Sequence, residues 1–282
     1  MADTDVPHRN CLLAELPEEE FTHLSTQLER VELSPGEILY ESGRPVQYVY
    51  FPTTAIVSLL YIMENGTTAE IAVIGNDGMV GIALVMGGDA MPNRAMVLCA
   101  GTAYRLNSRL LMSEYNRIGG RRAGALQHLL LRYTQVLIAQ MSQNAACNRH
   151  HSIEQQLCRW LLSYLDRSPS NKLIMTHELI ANTLGVRREG ITIAAGRLQQ
   201  DGLISYRRGH ITVLDRKGIE KRACECYQTV KSELDRLLPC KDDSPIAAAE
   251  TNRHSTPSWI SPMNTNAPGS ESPAQDRYRV KN

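Results

Sequence analysis

Arg187, Arg188 and Glu189 are consecutive at the point where a helical pattern begins, and Thr192, Ile193 and Arg197 follow further along the same pattern. Side chains of these types can read nucleic acid. An arginine offers two parallel donors that match guanine O6 and N7 in the major groove, a glutamate accepts from cytosine N4, and an isoleucine can touch a thymine methyl. Two arginines at a helix N-terminus face the positive end of its dipole, and Arg187 stands where Ser, Thr, Asp or Asn would cap. Local stability argues against them, so they make sense if a polyanion meets that helix end. Thr176, Arg207, Arg208 and His210 are the further candidates, as phosphate contacts that fix register without reading sequence. A solvated charged face on a protein-docking hairpin is the alternative use of the same residues.

The elements that must position these side chains are legible around them. Thr176 is an N-cap, Glu178 lies where the dipole favours negative charge, and Leu179, Ile180 and Leu184 form one apolar face before Gly185 supplies a left-handed stop. In the second helix Ile191, Ala194, Ala195 and Leu198 recur at i, i+3, i+4 and i+7, a stripe that turns inward and leaves the charged residues outside. Two short helices broken at a glycine form a helix-turn-helix. Ser205 to Leu214 reads as two short strands around Arg207-Arg208-Gly209-His210, a wing with a basic tip. Upstream, Ser152 and Gln155 make a capping box for a helix whose Ile153, Leu157, Trp160, Leu161, Tyr164 and Leu165 supply core, ended by Pro169. A last helix is predicted over Arg216 to Leu238.

The first third of the chain has a different period. From Val31 to Leu106 it is rich in short apolar runs: Glu37 to Tyr40, Tyr48 to Phe51, Ile56 to Tyr61, Thr68 to Val73, Ala95 to Leu98 and Thr102 to Leu106. Turn signals at Ser34-Pro35-Gly36, Ser42-Gly43, Asn65-Gly66 and Asn76-Asp77-Gly78 divide them, which predicts a compact barrel or roll with its clearest hairpin at Asn65-Gly66. A helical piece over Asn107 to Tyr115 and a break at Gly119-Gly120 lead into a long helix reaching about Asn144. There Leu126, Leu130, Tyr133, Leu137, Gln140 and Asn144 alternate spacings of four and three, the period of a coiled-coil seam, so a dimerisation helix is predicted. A helix buried within one monomer is the alternative, and Leu129 and Val136 form a flank suited to lie on the β-domain.

Composition bounds the class. The 282 residues are 43% apolar and 21% charged, ordinary for a globular protein of about two domains. No run of about 18 apolar residues occurs and the start MADTDVPHRN is unlike a signal peptide, so a cytoplasmic protein without membrane contact is expected. The net charge of zero divides unevenly: residues 1–148 carry 10 Lys+Arg against 15 Asp+Glu, and residues 149–238 carry 15 against 10. The basic excess travels with the helix-turn-helix. Seven irregularly spaced cysteines predict reduced thiols rather than a disulfide framework. Cys224 and Cys226 form a lone C-x-C, and the adjacent His150 and His151 point to different helix faces, so no metal site is expected. Neither a P-loop, a G-x-S-x-G, an H-E-x-x-H nor a dinucleotide fingerprint is present, and an enzyme is not expected.

The order of roll, long helix and winged helix-turn-helix resembles the Crp/Fnr family of bacterial transcription regulators over roughly residues 10 to 236. The likeness is strongest at Leu184-Gly185-Val186-Arg187-Arg188-Glu189-Gly190 and Leu198-Gln199-Gln200-Asp201-Gly202-Leu203-Ile204. It implies an α+β chain with a cyclic-nucleotide-binding-like β-roll over 10–107, a linker and dimerisation helix over 108–148, a winged helix-turn-helix over 149–238, and, from composition, a disordered tail over 239–282. It further implies a homodimer that binds a palindromic operator through recognition helix 187–198, with double-stranded DNA, a second copy of the chain and RNA polymerase as partners. Arg188 and Glu189 match the family's pair that reads a G·C base pair, whereas the family's further arginine falls at Ile193. The effector segment retains Gly81 and Arg94 beside Ala95, but Ile82 takes the place of the glutamate that binds a ribose hydroxyl. Leaving that hydroxyl unpaired would cost about 1–3 kcal/mol, which disfavours cyclic AMP. An iron–sulfur cluster takes four thiolates, and only Cys11 lies in the first 98 residues. His8 and His23 give no support for haem, so no cofactor is identified and the signal stays open. The competing function is a ligand-sensing module that controls a protein partner, its helix-turn-helix a docking surface.

Overall fold

The computed structural model describes residues 7–117, 124–168 and 170–240. Two short helices come first, α1 (Cys11–Ala14) and α2 (Glu18–Ser25). Asn10 is fully buried: its side-chain oxygen accepts from the amides of Leu12 and Leu13, and its amide nitrogen donates to the carbonyls of Pro52 and Gly78. That side chain, with Leu12, Leu13, Phe21 and Leu24 in the core, fastens the N-terminal helices to the roll.

The roll is two antiparallel sheets. In one, β1 (Glu29–Leu33), β7 (Gly101–Asn107) and β3 (Tyr48–Pro52) lie in that order; in the other the order is β2 (Ile38–Tyr40), β6 (Arg94–Cys99), β4 (Ile56–Ile62), β5 (Thr68–Ile74). The hairpin at Asn65-Gly66 is present, with Asn65 Oδ1 accepting from the Thr67 amide at 3.0 Å and Gly66 at φ 81°. The six predicted strands all form. β1 has no counterpart among them, because it is an edge strand whose Glu29, Arg30 and Glu32 face solvent, leaving only Val31 and Leu33 as inward residues and too short an alternation to read.

The helical part is α3 (Ser108–Tyr115), α4 (Ala125–His150) and α5 (Ile153–Leu165), the last opened by the expected capping box of Ser152 and Gln155. Then come β8 (Lys172–Ile174), α6 (His177–Leu184), α7 (Arg188–Gln200), β9 (Ile204–Arg207), β10 (His210–Val213), α8 (Arg216–Arg222) and α9 (Cys226–Leu237). β10 is the middle strand of the wing sheet, with β8 on one side and β9 on the other. The predicted Gly119-Gly120 break, Pro169 and the segment 241–282, which holds nearly all of the predicted tail, lie outside the described residues.

Three expectations need correction. The seam Leu126, Leu130, Tyr133, Leu137 and Gln140 does not face a second helix of another chain; all five are buried within one protomer against the roll. Its polar members show why: Tyr133 Oη donates to the Met79 carbonyl at 2.8 Å, Gln140 to that of Val73 and Asn144 to that of Ile71. A sheet edge that needs donors suits these residues better than a coiled-coil seam does. Second, the single helix expected over Arg216 to Leu238 is two, bent at Ala223–Glu225 where the buried Cys224 turns in towards Cys147. α9 then runs back antiparallel along α4, with Gln143 Nε2 donating to Cys226 Sγ at 3.0 Å and Gln135 Nε2 to Glu233 Oε1 at 3.1 Å. Third, this return brings Cys240 to Cys11, and the two form a disulfide with Cα atoms 5.2 Å apart. The other five cysteines are free thiols, as expected.

Ile56, Val73 and Leu98 of the roll share a core with α5, α6, α7 and the wing, and α6 of the helix-turn-helix packs directly on β5. Buried polar groups define that contact. Arg167, 9% exposed, grips Asp77 through Nη2 at 2.5 Å and Nε at 3.0 Å. Glu70 is buried and accepts from Ser58 Oγ at 2.6 Å and Tyr164 Oη at 2.7 Å, and burial holds its pKa above the ordinary carboxylate value. No helix among the described residues is long and apolar enough to cross a membrane.

Candidate nucleic-acid interface

The helix-turn-helix forms for the reasons its sequence gives. Thr176 Oγ1 accepts from the Leu179 amide at 3.1 Å and caps α6, and Gly185 closes it at φ 66°. Ile191, Ala194, Ala195 and Leu198 are buried, so α7 lies on α5 and α6 through one face. Gly190 faces α5, where an added Cβ would meet Ile153 Cδ1 at 2.6 Å. Arg187 takes the N-cap position with an extended backbone and no side-chain cap, which leaves the first amides of α7 open.

The opposite face of α7 carries Arg188, Glu189, Thr192, Ile193 and Gly196, all exposed. Ile193 is 58% exposed, an apolar side chain in an otherwise polar row. Among the described residues, Arg187, Arg188, Arg207 and Arg208 make no ion pair. Arg197 differs: its guanidinium lies 3.7 Å from Glu154 on α5, turned from the helix N-terminus. Thr192 is also occupied, its hydroxyl donating to the Arg188 carbonyl and meeting His177 Nδ1 at 3.1 Å.

His177 and Tyr206 are the residues that sequence reasoning missed here. The imidazole stacks on the Tyr206 ring at 4.1 Å between centroids, and the Tyr206 amide donates to Gln199 Oε1, so α6, α7 and the wing root are tied in one place. Burial, and then the neighbouring Arg188 charge, hold the His177 pKa below its ordinary value. A histidine at a cap-plus-one position gave no periodic signal. At the wing tip Arg208 at φ 48° and Gly209 at φ 82° make a two-residue turn between Arg207 and His210. A side chain in the left-handed region costs about 1–2 kcal/mol, and Arg208 carries it where Asn or Gly would avoid it. The tip thus projects two guanidiniums and an imidazole into solvent.

The predicted effector residues are together but engaged with the protein itself. Gly81 sits at φ 103°, a left-handed backbone that favours glycine, and a Cβ there would press on Val49 at 3.0 Å and Val46 at 3.2 Å. Ile82 and Ala95 are buried in the roll, and Arg94 Nε donates to Glu41 Oε2 at 2.8 Å. Nearby, the buried Asn93 donates to Tyr40 Oη, whose pKa burial pushes up to about 12.

Comparison with known proteins places these two halves. The family model of the cyclic nucleotide-binding domain matches residues 30–117, and that of the Crp-like helix-turn-helix domain matches residues 155–222. No curated protein matches the chain in sequence. Among solved structures the chain is similar to FixK2 from Bradyrhizobium japonicum, at 14% identity and a TM-score of 0.59 over 70% of this chain and 98% of that one. It is similar to the c-di-GMP responsive global regulator CLP of Xanthomonas campestris, at 14% identity and a TM-score of 0.57 over 71% and 100%. A CooA variant from Carboxydothermus hydrogenoformans matches at 14% identity and a TM-score of 0.53 over 77% and 96%. With a cyclic nucleotide-binding roll followed by a Crp-like helix-turn-helix, the chain belongs to the Crp/Fnr family of transcription regulators.

Proposed function

We propose that this protein is a sequence-specific DNA-binding transcription regulator that works as a homodimer on a two-fold symmetric operator, in the cytoplasm. The observation that carries the reading is the set of arginines, without ion pairs among the described residues, shared by the start of α7 and the wing tip. Cations placed against a helix dipole and in a left-handed turn cost stability in the free protein, and a phosphate backbone compensates both. Arg188 and Glu189 read base edges, Ile193 meets a neighbouring base, and Arg187, Arg207, Arg208, His210 and the Thr176 hydroxyl hold phosphates. Arg197 and Thr192, occupied by Glu154 and His177, support this surface rather than contact bases.

A second copy docks on the exposed side of α4. Leu131 and Ile138, 50% and 54% exposed, are seven residues apart and Ala145 is seven further on, a heptad stripe left free by the roll and α9. RNA polymerase is the partner through which activation would run. Selection of bound sequences from random duplexes tests the whole reading: a site with two inverted half-sites about one helical turn apart is expected. Recovery of no sequence preference, with binding insensitive to salt, would refute it and favour a docking surface for protein.

A further inference from the structure

Cys147 near the end of α4, His151 just beyond it, and Cys224 and Cys226 at the elbow between α8 and α9 meet at one point. The C-x-C that looks alone in the sequence has two partners some 75 residues away. One ligand atom from each of the four lies within 4.8 Å of all the others. Cys147 Sγ is 3.5 Å from Cys224 Sγ, and Cys226 Sγ is 3.4 Å from His151 Nδ1. Tetrahedral zinc bonds of about 2.3 Å to sulfur and 2.0–2.1 Å to nitrogen give edges of about 3.8 Å between sulfurs and about 3.5 Å from sulfur to nitrogen. Two edges of the group already have about those lengths, and the remaining ones lie within 4.8 Å.

The surroundings are those of a metal ligand set. Cys147 and His151 are one helical turn apart, which puts both ligands on the same side of the chain. His151 turns Nδ1 inward and has Nε2 3.2 Å from Glu225 Oε2, the carboxylate–histidine arrangement that fixes the tautomer and raises ligand basicity. Gln143 Nε2 donates to Cys226 Sγ at 3.0 Å, the contact a thiolate needs. The three sulfurs are buried, so bulk water does not compete for the ion.

We infer that Cys147, His151, Cys224 and Cys226 bind one divalent cation of the zinc class in a closed Cys3His site. Its ligands come from the helix that carries the proposed dimer stripe and from the elbow that follows the wing. The ion therefore clamps the DNA-binding half to α4 on both sides of the α4–α5 junction at His151 and Ser152. Each thiol releases its proton to solvent on binding, and no redox change is involved.

The test uses the full chain, purified reduced and without chelator. Elemental analysis is expected to find one zinc per chain that survives dialysis, and cobalt(II) exchanged for it is expected to show sulfur-to-cobalt charge-transfer bands with the intense ligand-field absorption of a tetrahedral site. Cys224→Ser is expected to lose both signals while Cys99→Ser, a thiol outside the cluster, keeps them. Because Cys224→Ser could fail to fold, Glu225→Ala is the gentler variant: that side chain is 75% exposed, and its loss is expected to lower zinc affinity about 10- to 100-fold with the fold intact. A folded, reduced wild-type chain that takes up neither zinc nor cobalt overturns the assignment, as does a metal that survives Cys224→Ser.

Discussion

Replacing Arg188 with alanine separates the cost of the recognition helix from its use. Arg188 is the first residue of α7, is exposed, and has no ion-pair partner among the described residues. A cation in the first turn opposes the helix dipole by about 0.3–1 kcal/mol, so Arg188→Ala is expected to stabilise the free protein by that amount. His177 moves the same way, since Arg188 is one of the two causes of its lowered pKa. On DNA the sign reverses. Loss of a bidentate contact to guanine costs about 1–3 kcal/mol, which is about 5- to 150-fold for each recognition helix and is doubled in free energy on a two-fold operator. Thermal unfolding of the free protein and fluorescence anisotropy on specific and random duplexes measure the two effects side by side. Arg208→Ala is the control: it is expected to weaken both duplexes alike and to reduce the salt slope by about 1 for each phosphate contact removed. If Arg188→Ala weakens binding equally on specific and random DNA, or lowers the melting temperature, the assignment of Arg188 to base reading against its own helix dipole is wrong.

Other outcomes follow from the buried contacts and the helix faces. Arg167→Met leaves Asp77 without its partner at a nearly buried site and is expected to cost about 3–5 kcal/mol, whereas Asp77→Asn combined with Arg167→Met recovers part of it; urea unfolding of the double-mutant cycle measures the coupling, and additive effects would count against it. His177 is held neutral, so the unfolded chain binds its proton more readily, and stability is expected to be complete above about pH 6.5 and to fall as pH drops through the lowered folded value. His177→Phe keeps the stack on Tyr206 and is expected to remove that share of the acid sensitivity in melting curves taken across the range. Leu131→Glu with Ile138→Glu is expected to give monomers by sedimentation without loss of helix content, while a dimer that persists would place the interface elsewhere.

Much of the fold was written in local pattern. Strands β2 to β7, the hairpin at Asn65-Gly66, the capping box of α5, the Gly185 stop and the inward stripe of α7 depend on residues close in sequence, so period and turn chemistry suffice to read them. The exposed arginines of α7 and the wing followed from the same local logic. What was not legible depended on a partner. A 3.5-residue period states that a helix face is covered, not by what: the roll covers Leu126, Leu130 and Tyr133 where a second helix was expected, and the donors Gln140 and Asn144 go to β5 carbonyls. β8 is three residues long, too short to show a period, and exists because β10 pairs with it.

The sequence by itself determined the class of the protein and the polar face that α7 leaves exposed, because the inward stripe of a helix also defines what it leaves outside. Only the tertiary structure decided the inner relations. α9 folds back along α4, and that single return brings Cys240 to Cys11 and the Cys224–Cys226 elbow to Cys147 and His151. Thiols so far apart in the chain carry no spacing signal. The return is held by apolar burial, since Leu237 and Leu238 at the end of α9 lie in the core of the roll, and a contact of that kind depends on the whole fold rather than on local pattern.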